Sequence, residues 1–269
     1  MKIVNLASGS KANSTFISFD DSKILIDVGL SERQLKERLS EIGESLSEIS
    51  GICITHEHID HIKSLKTLVK KYDIDVYLHE NLANSTAVSD INFKTNKLHK
   101  FTDIKFNIGK LEIKPFSVSH DAINPVGFAI NVIGSKSKFG IVTDTGLVLD
   151  DMKKSLAGAK IVFIESNYDE FMLQNGDYPY LVKQRIAGEK GHLSNTQSLE
   201  FAKFLYDNGT KCFVLSHISE NNNTIDRAYF GYAEYFKNQG LELDKDVFIR
   251  LSYQNKHGNN FSLKEDYYG

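Results

Sequence analysis

Residues 56–61 (HEHIDH) place three histidines, a glutamate and an aspartate in six consecutive positions. Imidazoles and carboxylates this close together repel one another or compete for solvent unless something holds them. His56 and His58 are two apart in an extended segment, so their rings can point the same way. Asp60 and His61 follow at the predicted start of a helix. The spacing predicts that His56 and His58 bind one metal ion and that Asp60 and His61 turn to a second.

Other candidate ligands stand where apolar, strand-like runs of sequence end. They are His56 (after GICIT), Asp27 (ILID), His120 (FSVSH), Asp144 (FGIVTD), Glu165 (IVFIE) and His217 (CFVLSH). In sheet-and-helix folds, functional groups collect just beyond the carboxyl ends of strands, so these side chains can converge on one rim. Each ion needs a third ligand from elsewhere in the chain, and His120 and His217 are the candidates. Asp144 has two oxygens and could bridge both ions.

The chemistry of this donor set narrows the choice of metal. Imidazole and carboxylate without thiolate suit Zn²⁺, and also Mn²⁺ or Fe. The alternative for the cluster is a solvated, charged start of a helix, and a lone histidine is more often a hydrogen-bonded core or surface residue than a ligand. We apply that second interpretation to His79, His99 and His257.

The elements that must position these residues can be read from hydrophobic periodicity. Short β-branched and aromatic runs, many of them almost entirely apolar, are typical of strands covered on both faces. Helical stripes of apolar residues occupy 31–42, 62–72 and 194–206. Strands arranged first in hairpins and then alternating with helices predict two packed sheets with helices outside. We expect one domain over 1–269, with a loosely held tail after about residue 254.

Composition excludes some classes of protein. The 269 residues are 41% hydrophobic and 25% charged, which is enough for a core without a structural metal or disulfide. Cys53 and Cys212 lie in apolar runs and are predicted to be buried thiols in a reducing, cytoplasmic protein. No apolar run approaches membrane-spanning length, so no membrane partner is expected. A net charge of -3 argues against binding nucleic acid by bulk electrostatics but allows a local basic groove.

With these residues in view, the sequence is similar to the metallo-β-lactamase superfamily. The similarity rests on Asp27, the segment THEHIDH at 55–61, His120, Asp144 and His217, in that order. The segments LASGSKANSTFI, SVSHDAINPVGF, GHLSN and LSHISENNNT further resemble the YycJ/WalJ (VicX) branch of bacterial proteins. The superfamily implies a four-layer αββα sandwich of the α/β class with two divalent metal ions at one edge. The branch implies a DNA 5′→3′ exonuclease-type activity.

The resemblance also assigns roles by position. It implies a first metal held by His56, His58 and His120, a second held by Asp60, His61 and His217, and Asp144 as the bridge, with Asp60 also counted as catalytic. Asp27 is expected to orient a ligand from outside the metal shell, since outer carboxylates fix ligand rings. The alternative for Asp27, a buried carboxylate that caps a turn before Gly29, is compatible with this.

Glu165 and His192 form a second expected pair. In the related tRNA-processing nucleases, a strand-end glutamate and a histidine of a G-H-S/T motif shuttle a proton. By resemblance, Glu165 would hold the ring of His192, in GHLS, while that ring protonates the leaving oxygen. The alternative is that His192 is a polar residue before the helix cap Ser194.

Substrate class depends on features outside the metal ligands, because a two-metal site suits a phosphodiester, a lactone, a thioester or a β-lactam. Two groups of residues favour a nucleic-acid phosphodiester, and the resemblance to the YycJ/WalJ branch implies DNA rather than RNA. The loop 8–14 has backbone N–H groups that could face an anion, with Ser8, Ser10 and Asn13 as candidate contacts, and Lys183, Arg185 and the nearby Lys190 could supply positive charge. The alternatives are a tight turn for the loop and a solvated face for the basic residues.

Two other functions compete with the nuclease. A hydrolase of small esters, thioesters or lactones would need no basic groove and suits the overall negative charge. A non-catalytic metal-binding or signalling accessory protein is disfavoured by the complete set of ligands. A β-lactamase is a poorer match still, because the chain begins without an export signal.

Overall fold

Two seven-stranded β-sheets form the centre of the protein. The structure is a computed structural model, and it describes residues 1–94, 96–135 and 138–262. The first sheet has the order β14-β1-β2-β3-β4-β5-β6 and the second the order β13-β12-β11-β10-β9-β8-β7. The strands are β1 (Lys2–Ala7), β2 (Ser14–Phe19), β3 (Ser22–Ile26), β4 (Gly51–Cys53), β5 (Asp75–His79), β6 (Leu98–Phe101), β7 (Phe106–Ile108), β8 (Leu111–Ser117), β9 (Val126–Val132), β10 (Lys138–Val142), β11 (Ile161–Glu165), β12 (Cys212–Ser216), β13 (Phe248–Leu251) and β14 (Asn260–Ser262).

The helices cover the outer faces of both sheets. They are α1 (Glu32–Glu41), α2 (Ile59–Ile62), α3 (Leu65–Lys71), α4 (Glu80–Ala83), α5 (Asp150–Leu156), α6 (Glu170–Asn175), α7 (Tyr180–Ala187), α8 (Asn195–Asp207) and α9 (Ile225–Asn238). This αββα arrangement confirms the predicted fold class. None of the helices in the described ranges combines the length and the hydropathy needed to span a bilayer.

Apolar strands result from burial on both faces. In β12, Cys212 and Val214 pack between the two sheets, whereas Phe213 and Leu215 pack under the helices outside the second sheet. Successive side chains of a strand point to opposite faces, so a strand in the middle of four layers has no polar face. Both cysteines are unpaired and buried, as predicted.

Two of the three predicted helices lie where their apolar periodicity placed them. Ser31 and Ser194 cap α1 and α8, each with a glutamine three residues later that completes a capping box. The third stripe is divided, because the chain forms the short helix α2 and then begins α3 at Leu65. The break allows the segment around residues 56–61 to turn toward the second sheet.

The end of β8 and the presence of β14 differ from what the sequence predicts. β8 ends at Ser117, so His120 lies in a loop, although Phe116, Val118 and His120 are all buried. The expected loose tail after about residue 254 is wrong for β14, which pairs with β1 and places Phe261 in the core between the sheets. The apolar side chain of Phe261 explains this order. The rest of that tail, 263–269, lies outside the described residues.

Candidate metal centre

The predicted ligands meet at one edge of the two sheets. His56 and His58 lie between β4 and α2, and Asp60 and His61 lie in α2. The other three follow strands of the second sheet, and they are His120 after β8, Asp144 after β10 and His217 after β12. The carboxyl ends of β10, β11 and β12 point the same way because these strands are parallel. Both sheets therefore contribute ligands to one site.

A first group consists of His56, His58 and His120, which offer donor atoms that all lie within 4.8 Å of one another. The Nδ1 atom of His58 is 3.3 Å from the Nε2 atom of His120. His56 and His120 are buried, and His58 is partly exposed. Three imidazoles in this arrangement can hold a divalent cation.

A second group consists of Asp60, His61 and His217, whose donor atoms meet the same 4.8 Å limit. Asp60 Oδ2 lies 3.4 Å from His61 Nε2. His61 and His217 are buried, and Asp60 is partly exposed.

Asp144 lies between the two groups. Its Oδ2 atom is 3.3 Å from His61 Nε2, and its Oδ1 atom is 3.5 Å from His217 Nε2 and 3.9 Å from His120 Nε2. Among the described residues, three buried atoms here lack a hydrogen-bond partner, namely His56 Nε2, Asp144 Oδ2 and His217 Nε2. Buried polar atoms are normally satisfied, and a cation would satisfy all three. The donor set therefore fits divalent metal ions.

The remaining ring nitrogens are fixed by hydrogen bonds that leave the converging nitrogens as acceptors. The Nδ1–H of His61 donates to Asp27 Oδ2 at 2.8 Å, that of His217 to Glu165 Oε1 at 2.8 Å, and that of His120 to the Gly191 carbonyl oxygen at 3.1 Å. Such outer partners set the tautomer and the orientation of a metal-binding imidazole. Asp27 thus occupies the orienting position that the sequence predicted for it.

Thr55 connects three parts of this network. Its hydroxyl donates to Asp27 Oδ2 at 2.9 Å and accepts from the Nδ1–H of His56 at 3.0 Å. Its backbone N–H donates to Asp27 Oδ1 at 2.8 Å. Sequence reasoning did not assign a role to Thr55, although its position directly before His56 was a usable signal.

Charge and burial together set the ionisation of the ligands. Burial lowers the pKa of His56 well below its usual value and keeps that imidazole neutral, the form that binds a cation. Burial alone would also lower the pKa of His61, but the carboxylates of Asp27 and Asp144 hold it well above its usual range. For Asp144, burial would raise the pKa, yet His217 and His61 hold it well below its usual range.

Three residues of the site adopt left-handed backbone conformations. The φ angles are 61° at Asp27, 59° at Asp144 and 53° at His217. Each residue lies one or two positions after a strand, so the chain turns sharply there and directs the side chain into the site. Non-glycine residues in this region are uncommon and cluster at functional sites.

Glu165 and His192 form the predicted pair. His192 Nδ1–H donates to Glu165 Oε1 at 2.8 Å, the same oxygen that accepts from His217. Glu165 Oε2 accepts the backbone N–H groups of Thr145 at 3.0 Å and Leu193 at 3.2 Å. Burial would raise the pKa of Glu165, but His192 and His217 lower it to about 2. The carboxylate is fixed as an ionised acceptor, so any proton that His192 exchanges must be on Nε2.

A cavity of about 180 Å³ gives access to the ligands. Its walls include Ser10, Asp121, Val182, Arg185, Ile186, Lys190 and His192 in addition to several metal-ligand candidates. Arg185 donates to Asp121 Oδ2 at 2.8 Å. Lys183 is not among the described residues that line the cavity. Its Nζ atom donates to the Gln174 carbonyl oxygen at 2.8 Å. Of the predicted basic contacts, Arg185 and Lys190 therefore border the cavity.

The loop 8–14 differs from expectation. The backbone N–H groups of Ser8, Gly9, Lys11 and Asn13 are bonded within the protein, so they do not face an anion. The buried hydroxyl of Ser8 accepts the backbone N–H of His217 at 2.8 Å. The side-chain amide of Asn13 donates to Asp60 Oδ2 at 3.1 Å. Ser8 and Asn13 thus hold the candidate ligands His217 and Asp60. Of the three predicted contacts, only Ser10 lines the cavity.

Comparison with known proteins gives a consistent result. A family model described as "Beta-lactamase superfamily domain" matches residues 22–218. Exodeoxyribonuclease YycJ of Bacillus anthracis is 36% identical over 239 residues, covering 88% of this chain and 89% of that protein. Exodeoxyribonuclease WalJ of Streptococcus pneumoniae is 34% identical over 228 residues, covering 83% and 84%. The metallo-β-lactamase fold protein YhfI of Bacillus subtilis gives a TM-score of 0.71 at 15% identity, covering 97% of this chain and 99% of that chain, which establishes likeness of fold.

Proposed function

The chain belongs to the metallo-β-lactamase superfamily and is a metallo-hydrolase; on that premise we propose that it cleaves nucleic-acid phosphodiester bonds, as an exodeoxyribonuclease, with two divalent metal ions. Support for the substrate comes from the relatives named exodeoxyribonucleases, which align with most of this chain. The cytoplasmic location predicted from the sequence would give access to DNA.

The proposed ligands follow the two groups of donor atoms. His56, His58 and His120 would hold one ion, and the group of Asp60, His61 and His217 would hold the other. Asp144 would bind both, since its Oδ1 lies near a donor atom of each group and its Oδ2 lies near His61. Zn²⁺ or Mn²⁺ suits these ligands, and Fe is compatible. Bound divalent ions at such a site activate a water molecule and neutralise charge on the phosphoryl oxygens.

The observation that carries the proposal is the position of His192 on the cavity wall beside the ligands. Its ring centroid lies 5.1 Å from that of His217 and 5.2 Å from that of His120. Because Glu165 fixes its Nδ1–H, the Nε2 atom of His192 is available to a bound substrate. A sugar oxygen is a poor leaving group unless it is protonated, and His192 would supply that proton. Arg185 and Lys190 would contact the phosphate groups.

Two substrates test the role of His192. Removing the imidazole with His192→Ala should leave the metals bound and reduce turnover of DNA by about a hundredfold or more, as expected for loss of a positioned general acid. A nitrophenyl phosphodiester, whose leaving group hardly needs a proton, should lose much less. His99→Ala is the matched control, because His99 stacks on Tyr77 at 4.6 Å and belongs to no ligand group among the described residues.

The substrate class is tested on the wild-type enzyme. Metal-dependent turnover should be measured on end-labelled single- and double-stranded DNA and RNA, beside a panel of lactones and thioesters. Turnover of the lactones or thioesters with no cleavage of polynucleotide would replace the nuclease with a small-molecule hydrolase. An equal loss on both phosphodiesters in His192→Ala would remove the general-acid role and leave the nuclease proposal standing.

A further inference from the structure

Exposed aliphatic side chains occur in two segments that border the metal cavity, the start of α2 and the first turn of α7. Ile59 is 71% exposed and lies between His58 and Asp60, both of which line the cavity. Leu181 and Val182, in the first turn of α7, are 75% and 39% exposed, and Val182 lines the cavity from the opposite sheet's side. We call Ile59, Leu181 and Val182 the apolar rim. Exposed apolar side chains concentrated beside a catalytic cavity indicate a contact surface.

The packing of α7 does not account for this exposure. The helix begins directly after its N-cap residue, Pro179, and none of its residues is buried. The helix is held at its other end by polar contacts, in which Arg185 pairs with Asp121 and the hydroxyl of Ser119 donates to the Glu189 carbonyl at 2.7 Å. The first turn of α7 therefore leaves most of Leu181 and more than a third of Val182 exposed to solvent.

The depth of the candidate ligands determines how a substrate reaches them. The cavity of about 180 Å³ is open to solvent, and Asp144 and His217, which line it, are each only 3% exposed. Val182, Arg185 and Lys190 line the same cavity. A phosphate that approaches these buried groups therefore passes beside the first turn of α7.

We propose that the apolar rim is a wedge that separates the terminal nucleotide of a DNA duplex and holds its unpaired base. The inference rests on the proposed nuclease function. Aliphatic side chains inserted between bases are an established way to unstack them, and unpaired bases bind apolar platforms without regard to sequence. Charge supports this occupant, because α7 and the segment after it also place Arg185 and Lys190 on the cavity wall, where the phosphates of the separated strand would pass.

The test compares paired with unpaired ends. The substrates are one blunt DNA duplex and the same duplex with several mismatched base pairs at the labelled end. The double variant Leu181→Ala/Val182→Ala should cleave the blunt end about tenfold or more slowly than wild type, the low end of the range for loss of one base contact. On the mismatched end, which needs no separation, the loss should be about twofold or less. Leu181→Ala alone should show the same selectivity with a smaller loss.

The matched control is Ile104→Ala/Ile133→Ala, which removes two aliphatic side chains of similar exposure, 73% and 51%, that do not line the cavity. It should retain wild-type rates on both ends. Metal content and the thermal unfolding midpoint of each variant establish that the fold is intact.

An equal loss on both ends, or no loss on either, would overturn the wedge while the nuclease proposal stands. A change of oligomeric state in the rim variant would show that the rim is a subunit interface instead, and would also overturn it. If wild type hydrolyses the nitrophenyl phosphodiester or a lactone but cleaves neither DNA end, the nuclease proposal fails first and the wedge fails with it.

Discussion

The groups buried beneath the cavity, which form its base, and the outer wall in α7 are built on opposite principles. At the base, Asp27, His56, His61 and Asp144 are each at most 3% exposed. Two of these four, Asp27 and Asp144, have left-handed backbones. In the wall, α7 has no buried residue and carries apolar side chains in solvent. At the base, the side chains are buried and contact other groups of the protein. In α7, the apolar side chains remain exposed to solvent.

This difference separates two tasks. Metal ligands must be held within fractions of an ångström, which requires buried partners for every polar atom and a backbone fixed by its neighbours. A surface that contacts many different nucleotides gains nothing from such rigidity. Substitutions at the base should therefore affect metal content and stability, whereas substitutions of exposed residues in α7 and of Lys190 should affect only the handling of DNA.

Asp144→Asn should cause the largest loss. Asparagine tolerates the left-handed backbone, so the variant removes the charge without adding strain. Both metal sites should weaken together, because Asp144 Oδ1 lies near His120 of the first group and His217 of the second. Activity should fall by more than the roughly 100-fold that outer residues account for. Elemental analysis measures the metal content of the variant, and activity assays measure its turnover. By comparison, His217→Ala should mainly empty the second site. Full metal content with intact activity in Asp144→Asn would contradict the assignment.

Asp27→Asn should lower metal affinity less than the loss of a ligand does, and its effect should exceed that of any substitution of an exposed residue in α7 or of Lys190. Asp27 accepts hydrogen bonds from the side chains of His61 and Thr55, and its loss frees the ring of His61 to turn. We expect metal affinity to fall by about 10- to 100-fold. Competition with a chromogenic chelator measures this affinity. Wild-type affinity in the variant would mean that the ring of His61 is held by packing alone.

Gly29→Ala tests how rigid the base is. A Cβ atom on Gly29 would lie 1.5 Å from the Asp60 carbonyl oxygen and 2.8 Å from the Asn13 backbone nitrogen. Backbone cannot give way as a side chain can, so we expect destabilisation of about 1–3 kcal/mol or more in chemical denaturation. In Gly231→Ala, the Cβ meets nothing within 4 Å and lies in the middle of α9. That control should be stabilised by about 0.5–1 kcal/mol. Equal stabilities for both variants would refute the close approach.

Lys190→Gln should have the smallest effect and should leave metal content and stability unchanged. Because Lys190 borders the cavity, the variant should bind DNA with a salt dependence shallower by about 0.7–0.9 in the log–log slope, the value for one phosphate contact. Lys183→Gln is the control, since Lys183 donates to the Gln174 carbonyl and does not line the cavity. Its slope should equal that of wild type. A shallower slope for Lys183→Gln, with none for Lys190→Gln, would restore the assignment made from sequence.

Much of this site could be predicted because its signals are local. The spacing of His56, His58, Asp60 and His61 is a property of six consecutive positions, and strand ends are marked by apolar runs. The predicted cap Ser194 likewise marked the start of α8 from a few residues. The predictions were wrong or incomplete where a polar residue had two possible partners. Ser8 and Asn13 could contact either a substrate or the candidate ligands, and the local sequence around them does not show which of the two partners they contact.

The sequence by itself determined the architecture of two packed sheets with helices outside, the residues that offer candidate donor atoms and the membership of the superfamily, because residue type and periodicity specify which groups are buried and which can bind cations. Only the tertiary structure decided how those groups are used. It places Thr55 between Asp27 and His56, turns Lys183 away while Arg185 faces the cavity, and leaves the first turn of α7 exposed. These outcomes depend on which side chains meet across separate elements, and contacts between residues far apart in the chain are set by packing, which no local pattern records.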